Sequence, residues 1–379
     1  MPDRTLLGPA DVSDSELTRM VAGLLGHDPA DVEPGELEVE HVDYALPAIT
    51  TAGRYWVSGT AQTPAGPTPY RIFVKHVQAW ERSEYFADVP AELTELAAAG
   101  VPWRTEPLAY RSDLGDRLPA GLTMPRALGV FDLDELSAAV WLEESTHPPR
   151  PWDRCRFERA AYLLGRLAAS PEVAPLRHVG EFPWSVHDYV DGRLRGQVLP
   201  IVASDIWEHP LVAGAFDAEL RDRVRDAAGR ASAYADELAA FPVLTGHGDA
   251  SPNNLLPGPD PDSFVLIDYG FWQALPLGYD ISQLVVGQVQ LGERDCDDLA
   301  ELDAACVSAY TAGLAAEGLA VGESAVRRAH ALQLQLFSGV SAVPFELLDR
   351  PVTPALERVA AARAAIARHS LDLLASTAG

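Results

Sequence analysis

With 379 residues, 47% of them apolar, and a formal charge of −26, the chain is too long for one small core and fits two lobes of a globular protein. The negative excess argues against nucleic acid as a partner, since gripping a phosphate backbone needs clustered Lys and Arg. No run of roughly eighteen apolar residues exists to cross a membrane, and the start, Met1 to Gly8, carries no charged-then-apolar signal, so cytoplasmic residence is expected.

In chain order, Ser13-Asp-Ser-Glu16 has the form of a capping box and precedes Leu17, Met20, Val21, Leu24 and Leu25 at helical spacing, which predicts a short N-terminal helix. After a break at Pro34-Gly35, three strand-like runs follow: Leu37 to Leu46, Arg54 to Ala61 and Tyr70 to Val77. Thr63 to Pro69 reads as the turn between the last two, giving a three-stranded meander that ends on Lys75. Residues 88–114 read as helical with an interruption at Gly100-Val-Pro102, and Ala138 to Leu142 reads as a buried strand. Glu143 to Pro151, with its paired prolines, is the linker, so the lobe boundary falls between 1–142 and 143–379. Helices are expected over Phe157 to Ala169 and over about 217–240, 295–317, 324–340 and 354–376.

The chemistry concentrates in His247-Gly-Asp-Ala-Ser-Pro-Asn-Asn254, followed by the apolar run Phe264 to Ile267 and then Asp268. A kinase catalytic loop needs an Asp to orient and deprotonate the attacking hydroxyl, an Asn five residues on to hold metal, and a second Asp from the next strand. Asp249, Asn254 and Asp268 meet that pattern; Asn253 is the adjacent rival, but its offset from Asp249 is one residue short. Asn254 and Asp268 offer hard oxygens for Mg²⁺, with nucleotide phosphates and water completing the octahedral shell. An isolated Asp beside Gly or Ser more often caps a turn, and it is the coincidence of all three residues that outweighs this.

Of the 29 basic residues only Lys75 is a lysine. It sits late in the third strand, where a kinase places the lysine that grips the α- and β-phosphates, steadied by a Glu from the following helix. Glu92 and Glu106 are both candidates for that Glu. Thr50-Thr-Ala-Gly-Arg54 joins the first two strands with a single glycine, so a G-x-G-x-x-G loop is absent and only backbone N–H groups and Thr hydroxyls remain to meet phosphate. Asp280 either braces the catalytic loop by accepting backbone N–H bonds or caps a helix beginning at Ile281. From Asp268 to Asp280 there is no room for a phosphorylatable activation segment, which disfavours a protein substrate. No H-x-x-x-H, H-E-x-x-H, G-x-S-x-G or P-loop occurs, and Cys155, Cys296 and Cys306 lie in no CxxC spacing, so the cysteines read as reduced packing residues. His187, Asp188 and Asp191, near Trp184, read as solvated surface or as the lining of a substrate pocket.

His247, Gly248, Asp249 and Asn254 match the H-G-D-x-x-x-x-N element of the aminoglycoside phosphotransferase and choline kinase-like superfamily, which the chain resembles over roughly residues 40–285. Ile267-Asp268-Tyr269 is similar to its metal-binding element and Asp280-Ile281 to its downstream Asp element. Glu106 to Tyr110 resembles the E-x-x-x-Y element whose Glu salt-bridges the nucleotide lysine, which favours Glu106 over Glu92. Ser251 stands where H-G-D-L-H members carry His, and Asn253 where Gly is usual, so the loop tip differs.

The resemblance implies an α+β, bilobal protein-kinase-like fold with an N-terminal antiparallel sheet lobe and a mostly helical C-terminal lobe. It places adenine at the hinge, against backbone groups from Leu142 to Glu144. The function expected is Mg²⁺-dependent O-phosphorylation of a small hydroxylated molecule by ATP or GTP, with an antibiotic as one acceptor class. The alternatives are a metabolite kinase of the choline, homoserine or sugar type, and a non-catalytic, nucleotide-binding regulatory module.

Overall fold

The computed structural model describes residues 3–378 apart from 44–47, 90, 92, 93, 146 and 181. Its N-terminal part is built on an antiparallel sheet of β1 (Glu33–His41), β2 (Thr51–Thr63), β3 (Gly66–Gln78), β5 (Ala127–Asp134) and β6 (Ser137–Glu143), in the order β1-β2-β3-β6-β5. Alternation explains the central strands: Tyr70, Ile72 and Val74 of β3 are buried at every second position, together with Val57 and Ala61 of β2. The helix Asp14–Leu25 covers this face, starting where Ser13 accepts the Glu16 N–H and stopping at Gly26, whose φ of 74° is left-handed. Leu17, Met20 and Val21 pack there against Val57, Ile72, Val74 and Trp141.

Several expectations are corrected. Pro34-Gly35 is a register shift inside β1 rather than a break before it, and β1 ends at His41, with the expected continuation at 44–46 outside the described residues. Thr63 to Pro69 is not a turn throughout: Thr63 pairs with Gly66, and Pro67 and Pro69 belong to β3. β3 meets β6 only from Ile72 onward, so its first half is an edge on that side, where residues lacking an N–H are tolerated. Beyond the three-stranded run and the buried strand expected at Ala138 to Leu142, which is β6, the sheet has a fifth strand, β5.

After the helices Thr94–Ala99 and Thr105–Arg111, β4 (Leu122–Thr123) pairs in parallel with β9 (Phe264–Leu266) before the chain returns to β5. The helical part is organised around Arg154–Ala169 and Leu299–Ala316, which approach through glycines: a Cβ at Gly165 or Gly313 would overlap the Tyr310 or Tyr162 carbonyl. The expected helix over 217–240 is two, Ala218–Gly229 and Ala231–Ala239. That over 324–340 changes to π-helical winding at Gln335–Gly339. Two small ladders, β7 (Val243–Gly246) with β10 (Gln273–Pro276) and β8 (Leu255–Pro257) with β9, hold the stretch between residues 243 and 276. A large apolar cluster fills this lobe and reaches the sheet lobe at Ala109, Tyr110, Val140 and Leu142. No described helix is long and apolar enough to cross a membrane.

Candidate active site

β7 delivers the chain into the loop 247–254, and Gly248 makes the turn possible. Its φ is 83°, and a Cβ there would run into the Phe271 carbonyl. The loop is pinned from below by Asp280, whose two carboxylate oxygens accept the N–H groups of His247 and Gly248, each at 2.8 Å. Asp280 therefore braces the loop, and the helix it lies in begins two residues earlier than expected, at Tyr279. The buried His247 ring places Nε2 3.0 Å from the Ile267 carbonyl, joining the loop to the end of β9. Burial lowers the His247 pKa, against the opposing pull of Asp280 and Asp268.

A single 3₁₀ turn, Pro252–Asn254, folds the loop back so that the residue five after Asp249 lies beside it. Asn254 Nδ2 donates to Asp249 Oδ2 at 2.9 Å and to the Asp249 carbonyl at 2.8 Å. Asn253, by contrast, is exposed. Burial and then the charge of Asp268 push the Asp249 carboxyl up to about 7, although the Asn254 hydrogen bond works the other way.

Asp268 follows β9 in a left-handed conformation, φ 64° and ψ 69°, the one non-glycine with positive φ among the described residues. A conformation of this kind costs on the order of 1–3 kcal/mol and concentrates at functional sites. It aims the carboxylate across the cleft, where Oδ1 lies 2.9 Å from Lys75 Nζ. The same ammonium is 2.5 Å from Glu106 Oε2, and both of those side chains are buried. Burial pushes the Lys75 pKa down, but Asp268 and Glu106 more than offset this and the net shift is upward. Burial raises Glu106 despite Lys75; burial also works to raise Asp268, but the charge and hydrogen bond of Lys75, with His247 and Arg54, bring it below its ordinary value.

Glu106 is placed by the helix Thr105–Arg111, on which Tyr110 lies one turn further along the same face. The Tyr110 ring meets Tyr269, the residue after Asp268, edge to face at 5.5 Å, so one helix positions both the Lys75 partner and the Asp268 backbone. Glu92, the other candidate, lies outside the described residues.

Leu142 is buried in the sheet, paired with both Phe73 and Ala127. β6 ends at Glu143, and the Glu144 carboxylate accepts Arg71 Nη1 at 2.8 Å, so the backbone leaves the sheet there. Sequence reasoning passed over Arg54. The β2–β3 register sets it directly opposite Lys75, and its charge acts on both Glu106 and Asp268. Counting the pairing back from the hairpin tip would have found it.

The donor set fits a hard divalent cation. Asn254 Oδ1 and the second Asp268 oxygen are oxygen donors, and the charge of Asp268 adds to burial in raising the nearby Asp249 carboxyl. No cluster of three His, Cys, Asp or Glu suited to a metal occurs among the described residues, so a cation here would take much of its shell from phosphate and water.

No family model matches the chain, and no curated protein matches it in sequence. Solved structures do. An aminoglycoside phosphotransferase from Alicyclobacillus acidocaldarius superposes with a TM-score of 0.52 at 13% identity, over 89% of this chain and 91% of that one. The amicoumacin kinase hAmiN in complex with AMP-PNP, Ca²⁺ and Ami aligns at 0.48 and 11% identity, over 89% and 88% of the two chains. An ethanolamine kinase from Plasmodium vivax aligns at 0.44 and 11%, over 90% and 82%. The chain has the bilobal protein-kinase-like fold, with an antiparallel sheet lobe and a mostly helical lobe.

Proposed function

We propose that the chain is a small-molecule O-phosphotransferase that moves the γ-phosphoryl group of ATP or GTP onto a substrate hydroxyl. One observation carries the reading: Lys75, held by Glu106 of the sheet lobe, meets Asp268 of the helical lobe, in the same cleft as an Asp249 carboxyl poised near neutral pH.

In this reading Asp249 accepts the hydroxyl proton as the acceptor oxygen bonds to the γ-phosphorus and the bond to the β-phosphate oxygen breaks, releasing the nucleoside diphosphate. Lys75 grips the α- and β-phosphates, oriented by Glu106, and Asn254 fixes the Asp249 carboxylate by its hydrogen bond. Asn254 and Asp268 would hold Mg²⁺, which when bound neutralises charge on the β- and γ-phosphates. The adenine or guanine ring lies at the hinge against backbone groups from Leu142 to Glu144, between a nucleotide lobe, 1–142, and a catalytic and substrate lobe, 143–379. We place the reaction in the cytoplasm, where the donor is at hand.

The test is calorimetric titration with Mg-ATP and Mg-GTP, followed by nucleotide-consumption assays over hydroxylated antibiotics and metabolites. Saturable binding of one triphosphate and turnover of at least one alcohol are expected. An absence of triphosphate binding with Mg²⁺ present refutes the reading.

A further inference from the structure

Beside the catalytic loop, four aromatic rings meet at the start of the helix Tyr279–Gln290. Tyr189 stacks on Phe337 with centroids 3.9 Å apart and planes 16° from parallel, and Tyr279 meets Phe337 edge to face at 5.3 Å. Trp184 closes the group, 5.8 Å from Tyr279 and 6.1 Å from Phe337. All four rings stay partly exposed. Tyr279 directly precedes Asp280, whose carboxylate holds the backbone N–H groups of His247 and Gly248, so the rings stand next to the loop that carries Asp249.

Two features set this cluster apart from ordinary core packing. The chain winds as π-helix at Val190–Val198, beginning just after Tyr189, and again at Gln335–Gly339, which contains Phe337. Such winding interrupts regular helix hydrogen bonding and concentrates at functional sites. Next to Phe337, the Ser338 side chain is buried and its Oγ has no hydrogen-bond partner in the chain. A buried hydroxyl left unpaired costs free energy unless a ligand group completes it.

Three carboxylates around the rings have local partners. Asp188 accepts the backbone N–H and hydroxyl of Ser185, Asp191 pairs with Arg195 at 2.6 Å, and Asp236 lies 3.0 Å from His187. Arg193 puts a positive charge near Tyr189. The wall offers stacking surface, and the Arg193 charge beside Tyr189 disfavours an ammonium group there.

We propose that Trp184, Tyr189, Tyr279 and Phe337 form the acceptor subsite and that it takes an uncharged alcohol carried on an aromatic ring, which extends the Tyr189–Phe337 stack while its hydroxyl faces Asp249. The assignment rests on the phosphotransferase reading for the fate of the hydroxyl, but not for the binding of the ring.

The probes are 2-phenylethanol, its saturated counterpart 2-cyclohexylethanol, and kanamycin. Each is measured by ligand-observed NMR without nucleotide and by phosphoryl transfer with Mg-ATP and Mg-GTP. 2-Phenylethanol is expected to bind about five- to tenfold more tightly than 2-cyclohexylethanol, the margin a stacked ring adds beyond its buried area. Phe337→Leu, which keeps apolar volume and loses the stack, erases that margin; Phe337→Ala raises the KM for 2-phenylethanol more than it lowers kcat. Equal affinity for the aromatic and saturated alcohols, or kanamycin binding more tightly than either, overturns the assignment. Aromatic binding without any transfer supports the subsite and counts against the phosphotransferase reading, whereas transfer to kanamycin alone does the reverse.

Discussion

Lys75 Nζ stands 2.9 Å from Asp268 Oδ1, so the ammonium assigned to phosphate and the carboxylate assigned to metal neutralise each other in the ligand-free chain. Glu106, at 2.5 Å, holds the ammonium from the other side. On the proposed reading, nucleotide and cation would divide this pair between them, with Glu106 keeping Lys75 in place.

Removing the ammonium leaves Glu106 buried without its partner. Lys75→Met is expected to cost about 3 kcal/mol at pH 8, in the range for breaking a buried ion pair. The loss shrinks at pH 5, because burial raises the Glu106 pKa and the carboxyl can then take up a proton. Urea denaturation at the two pH values measures both effects, and Lys75→Met with Glu106→Gln should recover most of the stability. An equal loss at both pH values contradicts the assignment.

The Asp249 carboxyl, pushed up to about 7, must be ionised to take a proton from a hydroxyl. The kcat/KM is accordingly expected to rise tenfold per pH unit below about 7 and to level off above it. Because the folded-state pKa is raised, this group stabilises the ligand-free chain at low pH, and that contribution is lost as pH rises through about 7. Asp249→Asn should therefore stabilise the ligand-free chain by on the order of 2 kcal/mol at pH 8 while abolishing turnover.

The loop 247–254 depends on Asp280 beneath it. Asp280→Ala removes the acceptor for two backbone N–H groups, and a displaced Asp249 should lower kcat by roughly a hundredfold with little change in nucleotide affinity. Asp280→Asn keeps one acceptor oxygen and should recover part of the rate. A loss confined to nucleotide affinity points to another role.

In the helical lobe, buried Asp303 Oδ2 accepts from His330 and His369, each at 2.8 Å. Burial alone would raise this carboxyl, but the two imidazoles hold it well below the usual carboxylate range. Its contribution to stability is thus present above the ordinary Asp pKa near 4 and is lost as pH falls further. Asp303→Asn is expected to cost about 3 kcal/mol at neutral pH. The difference between variant and parent, read by denaturation, should narrow below pH 4.

The grouping of Asp249, Asn254 and Asp268 could be read from spacing because they lie within twenty residues, where local turns dictate who meets whom. Long-range pairing was harder. Nothing in Ala127-Leu-Gly-Val-Phe-Asp-Leu-Asp134 alternates strongly enough to mark β5, and its place beside β6 is fixed only by tertiary packing. The short β4 is a strand only because β9 lies alongside it. Arg54 is not legible in the sequence because its place opposite Lys75 depends on the hairpin register, set by a turn at Pro64-Ala65 where composition predicts a longer one. The aromatic group joins residues 184, 189, 279 and 337, a combination that only the packed helical lobe brings together.

The most direct measurement follows the γ-phosphate of labelled ATP and GTP to an acceptor hydroxyl in the parent chain and in Asp249→Asn, alongside the triphosphate Kd of each. The parent should transfer label in the presence of Mg²⁺, and Asp249→Asn should lose at least a thousandfold in kcat, at the lower end of what general base and positioning supply together, with nucleotide Kd within a few-fold of the parent. Full transfer by Asp249→Asn contradicts the account, as does the absence of triphosphate binding in the parent.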